Sequence, residues 1–120
     1  MALSARLTKL RDNYVINQVA SARIPDFSPD QSVRYQVLFF GRVQHVGFRL
    51  EVCELAKRLA LTGYCKNLED GSILVQLQGP ENKILYLISF MESLKRIRIR
   101  KKQITRTEPI PDESGFRKEK

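Results

Sequence analysis

At 120 residues the chain has room for one domain, and its 42% hydrophobic, 28% charged composition excludes a disordered polymer. Two cysteines are too few for a disulfide framework, and no apolar run reaches membrane-spanning length or forms a signal-peptide core. The net charge of +8, from 21 basic and 13 acidic residues, narrows the partner to something anionic: a phosphate ester, a nucleic acid or an acidic surface.

A soluble cytoplasmic protein with no membrane partner is the expectation, with Cys53 and Cys65 reduced and buried in apolar patterns. Residues 1–22 read as an amphipathic helix with Leu3, Leu7, Leu10 and Tyr14 on one face. The first eleven residues hold no acid, as in a mitochondrial presequence, but Asp12 arrives early and favours an accessory helix. Pro25 and Pro29 then bar a helix, so the chain divides into an N-terminal helix and linker (1–30) and a main domain (31–120).

From Val33 the pattern becomes that of a strand. Tyr35, Val37 and Phe39 share one face, and Leu38 and Phe40 make the other partly apolar, as in a central strand. Val52, Leu55, Ala56, Leu59 and Ala60 repeat at helical spacing, and Gly63 is placed to end that helix in the left-handed conformation. Residues 64–67 and 72–78 form a hairpin around Glu69, Asp70 and Gly71. Pro80 stands early in a second helix whose buried face is Ile84, Leu87, Ile88, Met91 and Leu94. Ile97 and Ile99 alternate with Arg96, Arg98 and Arg100 in a fourth strand, and any last strand near Gly115 and Phe116 is short. The order β-α-β-β-α-β predicts an α+β, ferredoxin-like split βαβ sandwich: an antiparallel sheet with both helices on one face, plus the N-terminal accessory helix.

Between the first strand and the first helix of this unit lies GRVQHVGFR, residues 41–49. Backbone N–H groups in such a loop can converge on an anion beside the unpaired donors of the helix start, and Arg49 can grip phosphate oxygens in a bidentate way. A glycine-containing turn with a surface arginine is the bland alternative. The segment resembles the acylphosphatase signature G-x-V-Q-G-V-x-F-R, and residues 63–72, GYCKNLEDGS, resemble that family's G-Y-x-x-N-x-x-D-G-S/T element. The likeness runs from about Val33 to Ile104.

That resemblance implies hydrolysis of the carboxyl–phosphate bond of acyl phosphates, with no metal and no cofactor. It implies Arg49 as phosphate ligand and Asn67 as the group positioning the attacking water. The amides of Val43, Gln44, His45, Val46, Gly47 and Phe48 would complete the cradle. Phosphate or sulfate should occupy the same site, and a monomer is expected. His45 replaces the family's glycine, a residue that suggests positive φ or close approach to the ligand. Its ring is expected to crowd the loop and lower activity. The N-terminal helix is expected to be dispensable to the site.

A second class of function is a non-catalytic module that binds phosphate or nucleic acid. The basic run 95–102 would carry it, with Tyr35, Phe39 and Phe40 as candidate stacking residues. A solvated edge strand explains the same run more simply.

Overall fold

The computed structural model describes residues 2–120, with side chains described from residue 5. In chain order the elements are α1 (Ala2–Ser21), β1 (Ser32–Arg42), α2 (Phe48–Arg58), β2 (Thr62–Asn67), β3 (Ile73–Pro80), α3 (Glu81–Ser93), β4 (Arg98–Thr107) and β5 (Phe116–Glu119). They build one five-stranded sheet in the order β4-β1-β3-β2-β5. Alternation in β1 sends Val33, Val37 and Phe39 into a core shared with Val75 and Leu77 of β3 and with α2 and α3. Phe39 stacks at 5.0 Å, tilted, on Phe48, the first residue of α2. Burying each ring contributes about 2 kcal/mol, so the strand and helix flanking the loop are fixed to one another.

The predicted antiparallel sheet is in fact mixed. β1 pairs antiparallel with β3 and β4, and β3 with β2, but β5 lies parallel to β2. The reason is topological. β4 occupies one edge, so the chain must cross the sheet before β5 can pair at the other. Segment 108–115 makes that crossing on the face opposite the helices, where Glu113 pairs with buried Arg34 (2.7 Å) and the Ile110 carbonyl accepts from Gln78 Nε2 (3.0 Å). The last strand is short, as expected.

Two boundaries also move. α2 stops at Arg58, where Ala60, not Gly63, takes the left-handed conformation (φ 57°), and the Leu61 N–H closes onto the Ala56 carbonyl at 2.9 Å. Gly63 lies inside β2 instead, where a Cβ would stand 1.9 Å from the Gln76 carbonyl oxygen. Pro80 closes β3 and is the N-cap of α3.

α1 forms as expected, but the apolar face read from its sequence is not the one that packs: Leu7, Leu10 (64% exposed) and Tyr14 face solvent, and the side chain of Leu3 lies outside the described residues. The helix docks instead through Val15 (0% exposed) and Val19, and Arg58 of α2 donates to the Val19 and Ala22 carbonyls, both at 2.6 Å. The following segment is also stitched down. Phe27 meets Tyr86 edge-on, and Asp30 accepts from the Asn82 N–H at 2.9 Å. Among the described residues no helix is long and apolar enough to cross a membrane.

Candidate active site

β1 and β2 run in the same sense, and β5 joins them in parallel, so their C-terminal ends meet at one edge of the sheet. Arg42, Asn67 and Glu119 close those strands, and the loop 43–47 leaves β1 there. Two buried side chains, Val43 and Phe48, fix its ends in the core. Between them His45 takes positive φ (63°), and Gly47 follows at φ 81° as N-cap of α2. The positive φ expected of the family's glycine is therefore present in the chain, carried by a histidine. A histidine held in that region costs on the order of 1 kcal/mol.

Three arms hold the loop from outside. The Gln44 amide donates to the Leu68 and Ser72 carbonyls (2.8 and 2.9 Å), tying the loop to the hairpin that carries Asn67. Arg96 Nε donates to the Val46 carbonyl at 2.6 Å, and Arg96 Nη2 pairs with Glu51 at 2.7 Å. Arg11 Nη1 of α1 donates to the His45 carbonyl at 3.3 Å, with its Nη2 on Asp12 at 3.0 Å. Glu51 is completely buried, and burial pushes its carboxyl above the ordinary range, Arg96 pulling back only part of the shift.

A cavity of about 330 Å³ opens at this edge. Of the residues singled out from sequence, it brings together Val43, His45, Gly47, Arg49 and Asn67. The side chains of Gln44, Val46 and Phe48 point elsewhere, so from those positions only backbone can serve a ligand there. Arg49 stands in the first turn of α2 and donates from Nη1 to the Glu119 carbonyl at 2.6 Å. The Asn67 Oδ1 is buried and, among the described residues, has no hydrogen-bond partner. An acceptor left so is costly unless a ligand or water supplies a donor.

Sequence reasoning missed Thr8, Arg11, Asp12 and Lys118, all of which line the cavity. The N-terminal helix, expected to be separate from the site, is one of its walls. The aromatic platform imagined for nucleic acid is also corrected: Phe39 is fully buried under the helices, Tyr35 shares its face, and Phe40 alone of the three lies on the other face, covered by Lys101 at 5.6 Å.

Chemically, the cavity joins three cations, a helix start and an unpartnered amide oxygen, a set suited to a phosphoryl group and a water. The sequence matches the acylphosphatase family model over residues 35–118. The chain belongs to the acylphosphatase family. It is 44% identical over 64 residues to an acylphosphatase of Clostridium beijerinckii, covering 53% of this chain and 68% of that one. To an acylphosphatase of Picrophilus torridus it is 40% identical over 60 residues, 50% of this chain and 74% of the relative. The crystal structure of acylphosphatase from Bacillus subtilis superposes with a TM-score of 0.68 at 26% identity, covering 73% of this chain and 99% of that chain. The family's reaction, hydrolysis of acyl phosphates, is the activity of this chain. α1 and the whole segment between it and β1 lie outside the matched residues.

Proposed function

We propose that acyl phosphate hydrolysis proceeds here without metal or cofactor, with Arg49 and the amides of the 43–48 loop holding the phosphoryl group and Asn67 positioning the water. The observation that carries this reading is that Asn67, whose Oδ1 is buried with no partner among the described residues, lines the same cavity as Arg49. An amide oxygen accepts an O–H from water at any pH, since it does not titrate in the working range. Water then attacks phosphorus, the bond from phosphorus to the carboxylate oxygen breaks, and both protons of the water remain on inorganic phosphate. The leaving carboxylate needs no general acid, so the protein supplies position and charge. Arg49 neutralises phosphoryl oxygens while its tie to the Glu119 carbonyl fixes the guanidinium.

His45 lines the cavity in place of a glycine and narrows it, which we read as a brake on turnover. Cys53 and Cys65 are free and buried, in keeping with a reducing, cytoplasmic setting. The test is phosphate release from a simple aryl acyl phosphate. Asn67→Ala should lower kcat about a hundredfold while inorganic phosphate still binds. A variant that turned over like wild type would remove Asn67 from the mechanism. His45→Gly in the same assay should raise turnover several-fold, and unchanged kinetics would dismiss the brake.

A further inference from the structure

Two arginines from different elements hold two consecutive carbonyls of the phosphate loop. Arg11, from α1, donates to the His45 carbonyl; Arg96, just before β4, donates to the Val46 carbonyl. In a trans peptide the C=O and N–H point in opposite directions, and this chain has no cis bonds among its described residues. A donor that fixes the His45 carbonyl therefore fixes the N–H of Val46 the other way. One that fixes the Val46 carbonyl does the same for the N–H of Gly47. Those amides belong to the loop that changes direction through two positive-φ residues, the geometry of an anion-binding concavity. A guanidinium on the carbonyl also polarises the peptide and makes its N–H a better donor.

We propose that Arg11 and Arg96 are positioning residues that pre-orient the Val46 and Gly47 amides toward phosphate, so that α1 is a working part of the site. Arg96 is itself held by the buried Glu51 at 2.7 Å. Arg11 is held by Asp12, and α1 sits so close that a Cβ on Gly47 would stand 3.2 Å from Arg11 Nε. A side chain at residue 47 would be strained by the positive φ and would press on the Arg11 and Val15 side chains. The loop's amides are thus aimed from both sides, once by the main domain and once by an element outside the family's matched span.

The inference rests on the loop binding phosphate, and the experiment separates the two claims. Inorganic phosphate is titrated into ¹⁵N-labelled full-length protein, following the Val46 and Gly47 amides, for wild type, Arg11→Met and Arg11→Lys. Arg11 is a half-exposed helix residue, and unchanged resonances in the sheet core confirm that each variant folds. In wild type both amides should move strongly downfield on binding. Arg11→Met should weaken phosphate binding about tenfold, shrink the Val46 shift more than that of Gly47, and keep this deficit at high salt, with Arg11→Lys recovering part of it. A deficit that vanished at high salt would assign Arg11 a through-space charge effect and overturn positioning. So would an unchanged affinity or an unchanged Val46 shift in Arg11→Met. Wild type that bound no phosphate would instead defeat the reading of the loop itself, and this inference with it.

Discussion

Glu51 and Glu113 are each held by an arginine, yet their carboxyls move in opposite directions from the ordinary range. Burial acts on both. At Glu113 it is outweighed by hydrogen bonds from Arg34 and Thr62, so the net shift is downward. Glu51 has only Arg96, its Oε2 has no partner among the described residues, and burial wins. A carboxyl raised in the folded state contributes stability below its unfolded pKa and loses it as pH rises through the folded value. Wild type should therefore lose stability through Glu51 as pH climbs above the ordinary carboxylate range and through the raised folded value, and Glu51→Gln should not. Urea denaturation of both proteins across that window checks the sign. The gap should move in favour of the variant as pH rises, and a move the other way would mean that Arg96 wins over burial. Part of this was open to inspection in the sequence, since Phe48, Glu51, Val52 and Leu55 are spaced i, i+3, i+4, i+7, which places Glu51 on the buried stripe. Its arginine was not, because Arg96 comes from the turn between α3 and β4 and read as one cation in a basic run. The positive φ of residue 45 was legible through the glycine that the family keeps there.

At the level of elements, local periodicity carried the prediction wherever one partner surface decides the face. β1 and α2 each bury one face in the core: Val37, Phe39, Val52, Leu55, Ala56 and Leu59 are buried as read, while Ala60 lies past the helix end and is exposed. α1 failed that test for a physical reason. Its leucines form the denser apolar face, but docking is decided by what stands opposite, and the groove beside α2 accepts the smaller Val15 and Val19 while the Arg58 guanidinium takes up the helix's last carbonyls. A sequence pattern ranks faces by hydrophobicity and contains no information about shape on the receiving side. The exposed Leu7, Leu10 and Tyr14 follow from that mismatch. The parallel pairing of β5 was hidden for a related reason: four residues after a proline-containing segment carry no mark of the edge to which they return. The basic run read correctly as an edge, since β4 is a solvated outer strand whose Lys102 pairs with Glu92 at 2.8 Å.

Across the whole molecule the site depends on the chain closing from one sheet edge to the other. β4 ends far from the cavity, segment 108–115 crosses the open face, and β5 then carries Lys118 and the Glu119 carbonyl back to Arg49. The fastening of that crossing is the Arg34–Glu113 pair, with Arg34 only 3% exposed and also hydrogen-bonded to Gln76 and Gln78. Removing the carboxylate leaves a buried guanidinium with amide oxygens alone. Glu113→Gln should therefore cost about 2 kcal/mol of stability at neutral pH. The loss should fall unevenly: β5, a four-residue edge strand, has the least pairing to spare, whereas β1 is bonded on both sides. Hydrogen exchange should show β5 amides opening well before those of β1, and phosphate affinity should fall with them as Arg49 loses its tether. Equal acceleration in β1 and β5 would mean that the pair stabilises the fold globally. In that case the crossing would not govern the site separately, and the variant's phosphate affinity, measured on the folded fraction, would match wild type.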